Sequence, residues 1–579
     1  MSSLIRILVD DREYTTWSFQ DPDTNDDILA PTLPDTFHPS KNFLFSKDVF
    51  CVNSDDTIQI VHSPARLNKK IPGVLVLDNN KTYGRTANKK RLLYKCIPDD
   101  KHLPAFLVPY EIQIGFSKSN VNKYVIFRVS EWTANQKHPL GMIEETIGQV
   151  DQLEPFYEYQ LYCKCLHISM TEMTLQTRTA LNKKTHNEYG QQILKSPDYQ
   201  IVDKTSDCVF TIDPRGSMDF DDGFSIKSDL ENADQVIVSV YIANVYVWLD
   251  TLSLWSSFSE RVATIYLPDR RRPMLPTVLS DALCSLQEGQ DRFVFVMSVR
   301  VNKHTGEISE KDPVFYNALI KPYRNYYYEQ PELVNDINYM DLLRLTQKMD
   351  RHATNSHDVV AFWMVQMNCQ CARIFAKNEI GIFRSALCTN SDAKSDIDVS
   401  LPENTKRFIK MWNNTSGQYQ MFSKKNGMEH ELMKVKSYVH ITSPIRRLVD
   451  LLNQMMFMRD ILKMELSEAS NDFICRWISK IEYINTSMRS IRKVQTECDL
   501  LYRCSNDPNI MDEIHDGVMF DKLKRCDGSY SYMVYFEKWK LLSRLTTHNE
   551  YDNYVSSKFR IFLFEDEDKT RRKIRIQIL

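Results

Sequence analysis

No two cysteines in this 579-residue chain stand at C-x-x-C spacing, although it holds 13 of them. That absence removes a zinc knuckle and a thioredoxin-type motif, and the odd count argues against a disulfide framework, so the cysteines read as reduced core thiols. No hydrophobic run approaches the roughly 18 residues needed to cross a bilayer. The N-terminal stretch MSSLIRILVDDREY breaks its apolar run at Arg6 and follows it with Asp10 and Asp11, which does not read as a secretory signal. The expectation is a cytoplasmic protein, with a nuclear, organellar or virus-associated setting left open. Excess positive charge is also lacking. A net charge of -3 excludes the whole-chain signature of a dedicated nucleic-acid binder, but not a chain with a local basic lining. Internal repeats and low-complexity linkers are missing too, which sets solenoids aside.

What is present is an ordinary globular balance, 42% apolar and 26% charged, in a chain too long for one core. A prior of roughly 100 to 200 residues per domain suggests three to five domains. From Ile71, short β-type runs such as GVLVL, AFLVPYEIQI and NKYVIFRV are spaced as in a small barrel. Among them lies a basic band, Arg85, Lys89, Lys90, Arg91 and Lys95, framed by Tyr83 and Tyr94. Such a band suits single-stranded nucleic acid, phosphates meeting cations and bases stacking on rings; a solvated face of any β domain fits it equally well. Residues 200 to 300 mix strands with an acidic loop, and 340 to 380 turn helical, with Met364, Met367, Cys371 and Ile374 on one stripe and Gly381 as a stop signal. Beyond about residue 510, YSYMVYF and KIRIQIL alternate again as strands.

The stretch TIDPRGSMDFDDGFSI places Asp213, Asp219, Asp221 and Asp222 within ten positions, interrupted only by Arg215. Like charges held this close cost free energy unless something positive sits between them. An EF-hand starting at Asp219 fails, because Gly223 and Leu230 stand where ligands are needed. Carboxylates without His or Cys favour Mg²⁺ or Mn²⁺, and four of them suit a pair of ions clamping a phosphodiester. A surface acidic turn remains the competing reading. A second stretch, YVHITSPIRRLVDLLNQMMF, reads as a helix capped by Ser443 with Pro444 in its first turn, an apolar face of Ile445, Leu448, Leu452 and Met455, and Arg446 also in the first turn, where a phosphate would bind. The bland alternative is an Arg446 to Asp450 surface pair.

Together these stretches resemble the RNB family of exoribonucleases, the RNase II/RNase R type, and look nearest to exosome-type members without the extra endonuclease domain. TIDPRGSMDFDDGFS follows the family's T-I-D-P-x-x-x-x-D-x-D-D-A-x-S element except at Gly223. ATIYLPDRRRPMLPTVLSDALCSLQEGQDR resembles its Y-L-P-x-x-x-x-P-M-L-P segment, and YVHITSPIRRLVDL its Y-x-H-F-T-S-P-I-R-R-Y-x-D-L element. The resemblance implies a multidomain fold of α/β and all-β parts. Residues 1–70 form an N-terminal segment, a degenerate OB domain or something new; 71–195 form a cold-shock-like OB β-barrel. Residues 196–508 form a mixed α+β RNB catalytic domain, and 509–579 an S1-like OB barrel.

It further implies Mg²⁺-dependent, hydrolytic, processive 3′-to-5′ degradation of single-stranded RNA to nucleoside 5′-monophosphates, with Mn²⁺ as a substitute. RNA with a free 3′ end is the implied partner, with room for a helicase or adaptor but no membrane or small-molecule cofactor. Asp213, Asp219, Asp221 and Asp222 fall on the family's active-site and metal-binding aspartates. Arg446 falls on the arginine at the scissile phosphate, with Arg447 beside it on the RNA, and Tyr266 on a base-stacking aromatic. Arg85, Lys89, Lys90 and Arg91 would line the cold-shock RNA surface. Departures occur at Tyr241 and Asn244, which replace a histidine and an aspartate; at Leu448, which replaces a tyrosine; and at Val360 and Ala361, where a carboxylate is expected. Glu497 is a weak match to a glutamate that assists product release. An RNB-fold RNA-binding scaffold with little or no activity is the alternative.

Overall fold

The computed structural model describes residues 4–29, 33–34, 37–78, 80–86, 88, 90–112, 120–134, 136–309, 313–385, 401–402, 404–406, 408–409, 417–423, 437–507, 509–525, 527–565 and 572–579. The chain divides into two compact units, Met1–His167 with Val494–Leu579, and Ile168–Lys493. The helix Ile481–Asn506 runs through the second division, so the units part within an element rather than at a linker.

In the first unit, Ile5–Val9 alternates buried and half-buried residues, the period-two pattern of a strand with one covered face. It is central in a four-stranded antiparallel sheet ordered Trp17–Gln20, Ile5–Val9, Val49–Val52, Ile58–His62. Five further strands, Ile71–Leu75, Leu92–Pro98, Phe106–Tyr110, Lys123–Glu131 and Leu140–Gln149, close into an OB-like barrel. Closure comes from a parallel contact, Leu107 opposite Leu140, while Ile71–Leu75 pairs with Lys123–Glu131, so no edge is left open. Gly73 permits the tight wall, since a Cβ there would lie 2.9 Å from the Ile97 carbonyl oxygen. The described residues before Ile71 share a core with this barrel, Phe45 packing on Phe106 and Trp132. The C-terminal part is a five-stranded antiparallel sheet centred on Ile514–Lys524, its core built from Tyr532, Val534, Phe536 and Phe559.

The second unit is built on a mixed seven-stranded sheet ordered Ile201–Asp203, Val314–Ile320, Arg292–Asn302, Gln235–Ala243, Asp222–Ser228, Phe210–Asp213, Arg324–Tyr327. Its outer pairs are parallel and its inner ones antiparallel. Phe295 and Phe315 pack on Phe457 of the helix Leu448–Asp460, which is buried from Leu448 to Met458. Two helices, Ile337–Met349 and Ser356–Asn378, occupy the stretch expected to be helical. The buried stripe of the second is Val360, Trp363, Met367, Cys371 and Phe375; Met364 and Ile374 are only half-buried. Glu379, at φ +59°, ends it in the left-handed region two residues before Gly381.

The helix after the second motif starts later than its sequence suggests. Ser443 does not cap it and Arg446 is not in its first turn; residues 444–446 form a turn and Arg447 is the residue before the helix. Long-range pairing explains the difference. Arg447 bridges Ala263, Thr264 N–H donates to the Arg446 carbonyl at 2.9 Å, and Leu448 N–H donates to the Val262 carbonyl at 2.9 Å, which holds the backbone extended. Nor is there one apolar face, because the helix is covered all round. Among the described residues no helix is long and apolar enough to cross a membrane.

Candidate active site

Asp213 is the last residue of one strand and Asp222 the first of its antiparallel neighbour. The pairing of Phe210 with Phe224 therefore brings Asp213 level with Asp221 and Asp222 at one end of the sheet. The loop between them is pinned from outside. Ser285 Oγ accepts from Phe220 N–H (3.0 Å) and donates to the Met218 carbonyl (2.8 Å), and Leu286 N–H donates to the Phe220 carbonyl at 3.0 Å. Arg292 in turn fixes the Ser285 carbonyl (2.6 Å) and the Ala282 carbonyl (2.8 Å). Glycine at 223 suits this packing, since a Cβ would sit 3.1 Å from Val209 Cγ1 and 3.2 Å from the Phe210 carbonyl oxygen.

The four aspartates fall into two pairs. Asp221, only 1% exposed, accepts from Ile445 N–H at 2.9 Å and from Arg446 Nε at 2.9 Å. Asp219 Oδ2 accepts from Tyr266 Oη at 3.2 Å, and Oδ1 lies 2.8 Å from Arg271 Nη1. Asp213 and Asp222 differ: each has a buried Oδ2 without any hydrogen-bond partner. Two orphaned carboxylate oxygens, close enough for each charge to disfavour the other, are what a hard divalent cation would satisfy. These two residues fit one ion. No set of three or more metal-ligating side chains converges among the described residues.

The electrostatics follow. Burial, then the Asp222 charge, raises the Asp213 carboxyl well above its usual range. Burial pushes Asp221 up to about 7 against the pull of Arg446 and the Ile445 N–H. Asp222 is also raised by burial, with Arg446 opposing. Burial alone would depress the Arg446 guanidinium; the charges of Asp221, Tyr266 and Asp222 outweigh it and hold the group above its usual value. Arg446 spends Nε on Asp221 and Nη2 on Ser443 Oγ (3.1 Å), while its side chain stays 46% exposed. It is thus a fixed cation with one face toward solvent, the form needed to meet a phosphoryl oxygen. The i,i+4 pair with Asp450 does not form.

Arg447 takes Asp450 instead, through Nε and through Nη2 at 2.9 Å, and Asp450 is fully buried. Arg447 thus braces the helix start through Asp450. Tyr266 is 41% exposed, with its hydroxyl bonded to Asp219. In the other unit, Arg85, Lys90 and Arg91 are exposed ahead of the strand Leu92–Pro98, while Lys89 lies outside the described residues. Tyr94 is a core residue edge-on to Tyr110, unable to offer its ring to a base.

The departures at Tyr241 and Asn244 leave the acidic end untouched. Tyr241 joins a buried network with Ser225 (2.8 Å) and Asp207 (3.0 Å), and Asn244 Nδ2 donates to Asn317 at 3.1 Å. Glu497 lies on the helix Ile481–Asn506 in the first unit. Sequence reasoning missed Arg271, Ser285 and Tyr328. Tyr328 donates its N–H to the Asp213 carbonyl at 3.0 Å, stacks on His357 at 3.7 Å, and has its phenol raised by burial and then by the charges of Asp222 and Asp213. Arg271 and Ser285 lay in a recognisable segment, and Tyr328 lay outside it.

Parts of this chain resemble known proteins. Residues 201–339 match the RNB domain family and residues 93–159 match the Dis3-like cold-shock domain 2. The chain carries an RNB domain. Exoribonuclease 2 of Psychromonas ingrahamii is 37% identical over 171 residues, 28% of this RNB chain and 25% of that protein. Ribonuclease R of Vibrio parahaemolyticus is 25% identical over 286 residues, 49% of this chain and 31% of that one. This RNB protein thus aligns with only a quarter to a third of those relatives' length. An Arabidopsis thaliana protein named inactive exonuclease DIS3L2 is also 25% identical, over 224 residues, 37% of this chain and 20% of that protein. Among solved structures, Mycoplasma genitalium RNase R with ribose-methylated single-stranded RNA superposes with a TM-score of 0.62 at 15% identity, covering 99% of this chain and 100% of that one. Yeast Ssd1, a pseudonuclease, superposes at 0.54 with 12% identity, over 96% and 80% of the two chains. Both show the RNB fold.

Proposed function

We propose that this RNB protein is a divalent-metal-dependent exoribonuclease that shortens single-stranded RNA hydrolytically and processively from a free 3′ end, releasing nucleoside 5′-monophosphates. The observation that supports it is the pair of orphaned oxygens on Asp213 and Asp222 beside a half-exposed, fixed Arg446. Asp213 and Asp222 would hold Mg²⁺ or Mn²⁺, which supplies Lewis-acid polarisation of the phosphoryl group. Arg446 would bind a non-bridging oxygen of the scissile phosphate and stabilise the charge that builds on it, an effect of about 2.7–4 kcal/mol in comparable sites. Asp221 holds Arg446 in register. Tyr266 would stack on a terminal base; a ring accepts any base, which suits digestion without sequence preference. Hydrolysis breaks the bond from phosphorus to the 3′ oxygen, so the shortened RNA keeps a 3′ hydroxyl and the released nucleotide its 5′ phosphate.

A second reading, an RNA-binding protein that does not cleave, is favoured by the engagement of Asp219 with Arg271 and Tyr266. The two readings separate on 5′-labelled single-stranded RNA incubated with the protein and Mg²⁺, beside Asp222→Asn and EDTA controls. Stepwise shortening from the 3′ end, lost in both controls, is expected. RNA that is bound yet intact with either metal overturns catalysis and leaves the scaffold.

A further inference from the structure

Asp219 has both oxygens engaged by one small hairpin. The strands Ile265–Tyr266 and Arg271–Arg272 pair antiparallel with Tyr266 directly opposite Arg271, and both side chains reach the same carboxylate. Arg271 is also held from behind, its Nη2 bonded to Asp281, which accepts from Ser280 Oγ at 2.6 Å within the π-helical turn Val278–Cys284. Its side chain is 23% exposed. The contact to Asp219 is a charge contact, since Nη1 makes no aligned hydrogen bond. A guanidinium stays protonated at any working pH, so it is a permanent cation of fixed position. Arg271 stands in the x-x-x-x part of the Y-L-P-x-x-x-x-P-M-L-P segment, where the motif itself demands no particular residue.

We infer that Arg271 is a resident cation that takes the place of a second metal ion at Asp219, so that the protein binds one divalent ion, through Asp213 and Asp222, and Asp219 serves to position Tyr266. This inference rests on the metal-dependent reading above and narrows it. Asp213 and Asp222 each have an oxygen without a protein partner; Asp219 has none to offer. Asp219 is then a positioning residue. An ion seeking it would have to displace a guanidinium that Asp281 retains.

The test is Mn²⁺ binding to the full chain without RNA, followed by electron paramagnetic resonance, which reads stoichiometry and affinity independently of turnover. One Mn²⁺ per wild-type chain is expected. Asp222→Asn should weaken it at least about tenfold, the scale seen for perturbed metal sites, and Asp219→Asn should leave it within about twofold. Arg271→Gln should gain a second Mn²⁺, which Asp219→Asn in the same chain removes. Two ions in the wild type, a tenfold loss in Asp219→Asn, or a folded Arg271→Gln that still binds one would each overturn the inference. Because Asp219→Asn is nearly isosteric, that arm decides the matter even where Arg271→Gln fails to fold. The two readings fail differently: two ions in the wild type defeat the role of Arg271 alone, whereas no bound ion at all defeats the metal-dependent reading with it.

Discussion

Asp48 in the first unit and Asp221 in the second are near copies of one another in their immediate bonding. Asp48 accepts from Phe45 N–H at 2.9 Å and from Arg66 Nη1 at 2.9 Å, with Ser63 Oγ at 2.6 Å. Asp221 accepts from Ile445 N–H and Arg446 Nε, each at 2.9 Å. Both carboxylates are buried and both are pushed upward chiefly by that burial. Yet one braces a loop and the other lies in the candidate site. The difference is in the neighbours: Asp221 feels the charges of Asp222 and Asp219 and sits beside orphaned oxygens, whereas Arg66 and Ser63 complete the shell of Asp48. A buried ion pair alone says little about function, since it is often close to neutral even for stability. Unmet demand beside it says more.

The largest effect expected from this contrast is on cleavage. Asp222→Asn should slow RNA shortening about 10³-fold, ~4 kcal/mol of transition-state stabilisation, with melting temperature unchanged or raised because a repulsive charge is gone. Asp48→Ala should leave cleavage within about twofold while costing about 2–4 kcal/mol of stability, because Phe45 N–H, Ser63 and Arg66 lose their acceptor. Gel kinetics and thermal melts on the two variants would break the comparison if the effects were exchanged.

Arg446→Gln should slow single-turnover cleavage by about 10²- to 10³-fold, and Arg66→Gln should not. Tyr266→Ala should weaken RNA binding by ~1–3 kcal/mol, read by filter binding with the Asp222→Asn protein. The pH dependence of metal-free stability is a smaller effect. Asp221 and Asp48 have native values above the unfolded one, so the native state binds more protons than the unfolded state from about pH 4 upward. Stability should therefore fall as pH rises toward 7, by a few degrees in melting temperature measured in EDTA, and Asp48→Ala should flatten part of the slope. Smallest of all, charge reversal at Lys90 and Arg91 should weaken RNA binding by less than about tenfold, with a reduced salt slope.

Much of this was legible in the amino-acid order. Alternating runs after Ile71 announced the barrel, and the four aspartates with Arg446 stood in stretches that resemble one family. What stayed hidden depends on partners far along the chain. The helix begins at Leu448 because residues 262–264 pair with the preceding turn, and Ser443 had no local reason to forgo capping. Arg446 and Arg447 are adjacent, yet one meets Asp221 and the other Asp450. No local pattern assigns them. Arg271 was read only as part of a motif spacer, and Asp48 drew no notice, since burial of a single carboxylate leaves no trace in sequence.

The bond from Ile445 N–H to Asp221 spans 224 residues. At translation rates of about 5–20 residues per second, that interval lasts roughly 10 to 45 s. During it the acidic end of the sheet has left the ribosome without the arginine that restrains it, so a half-made chain cannot assemble the centre beside the very message being read. The long gap between the two motifs thus sets the earliest moment at which these two residues can meet.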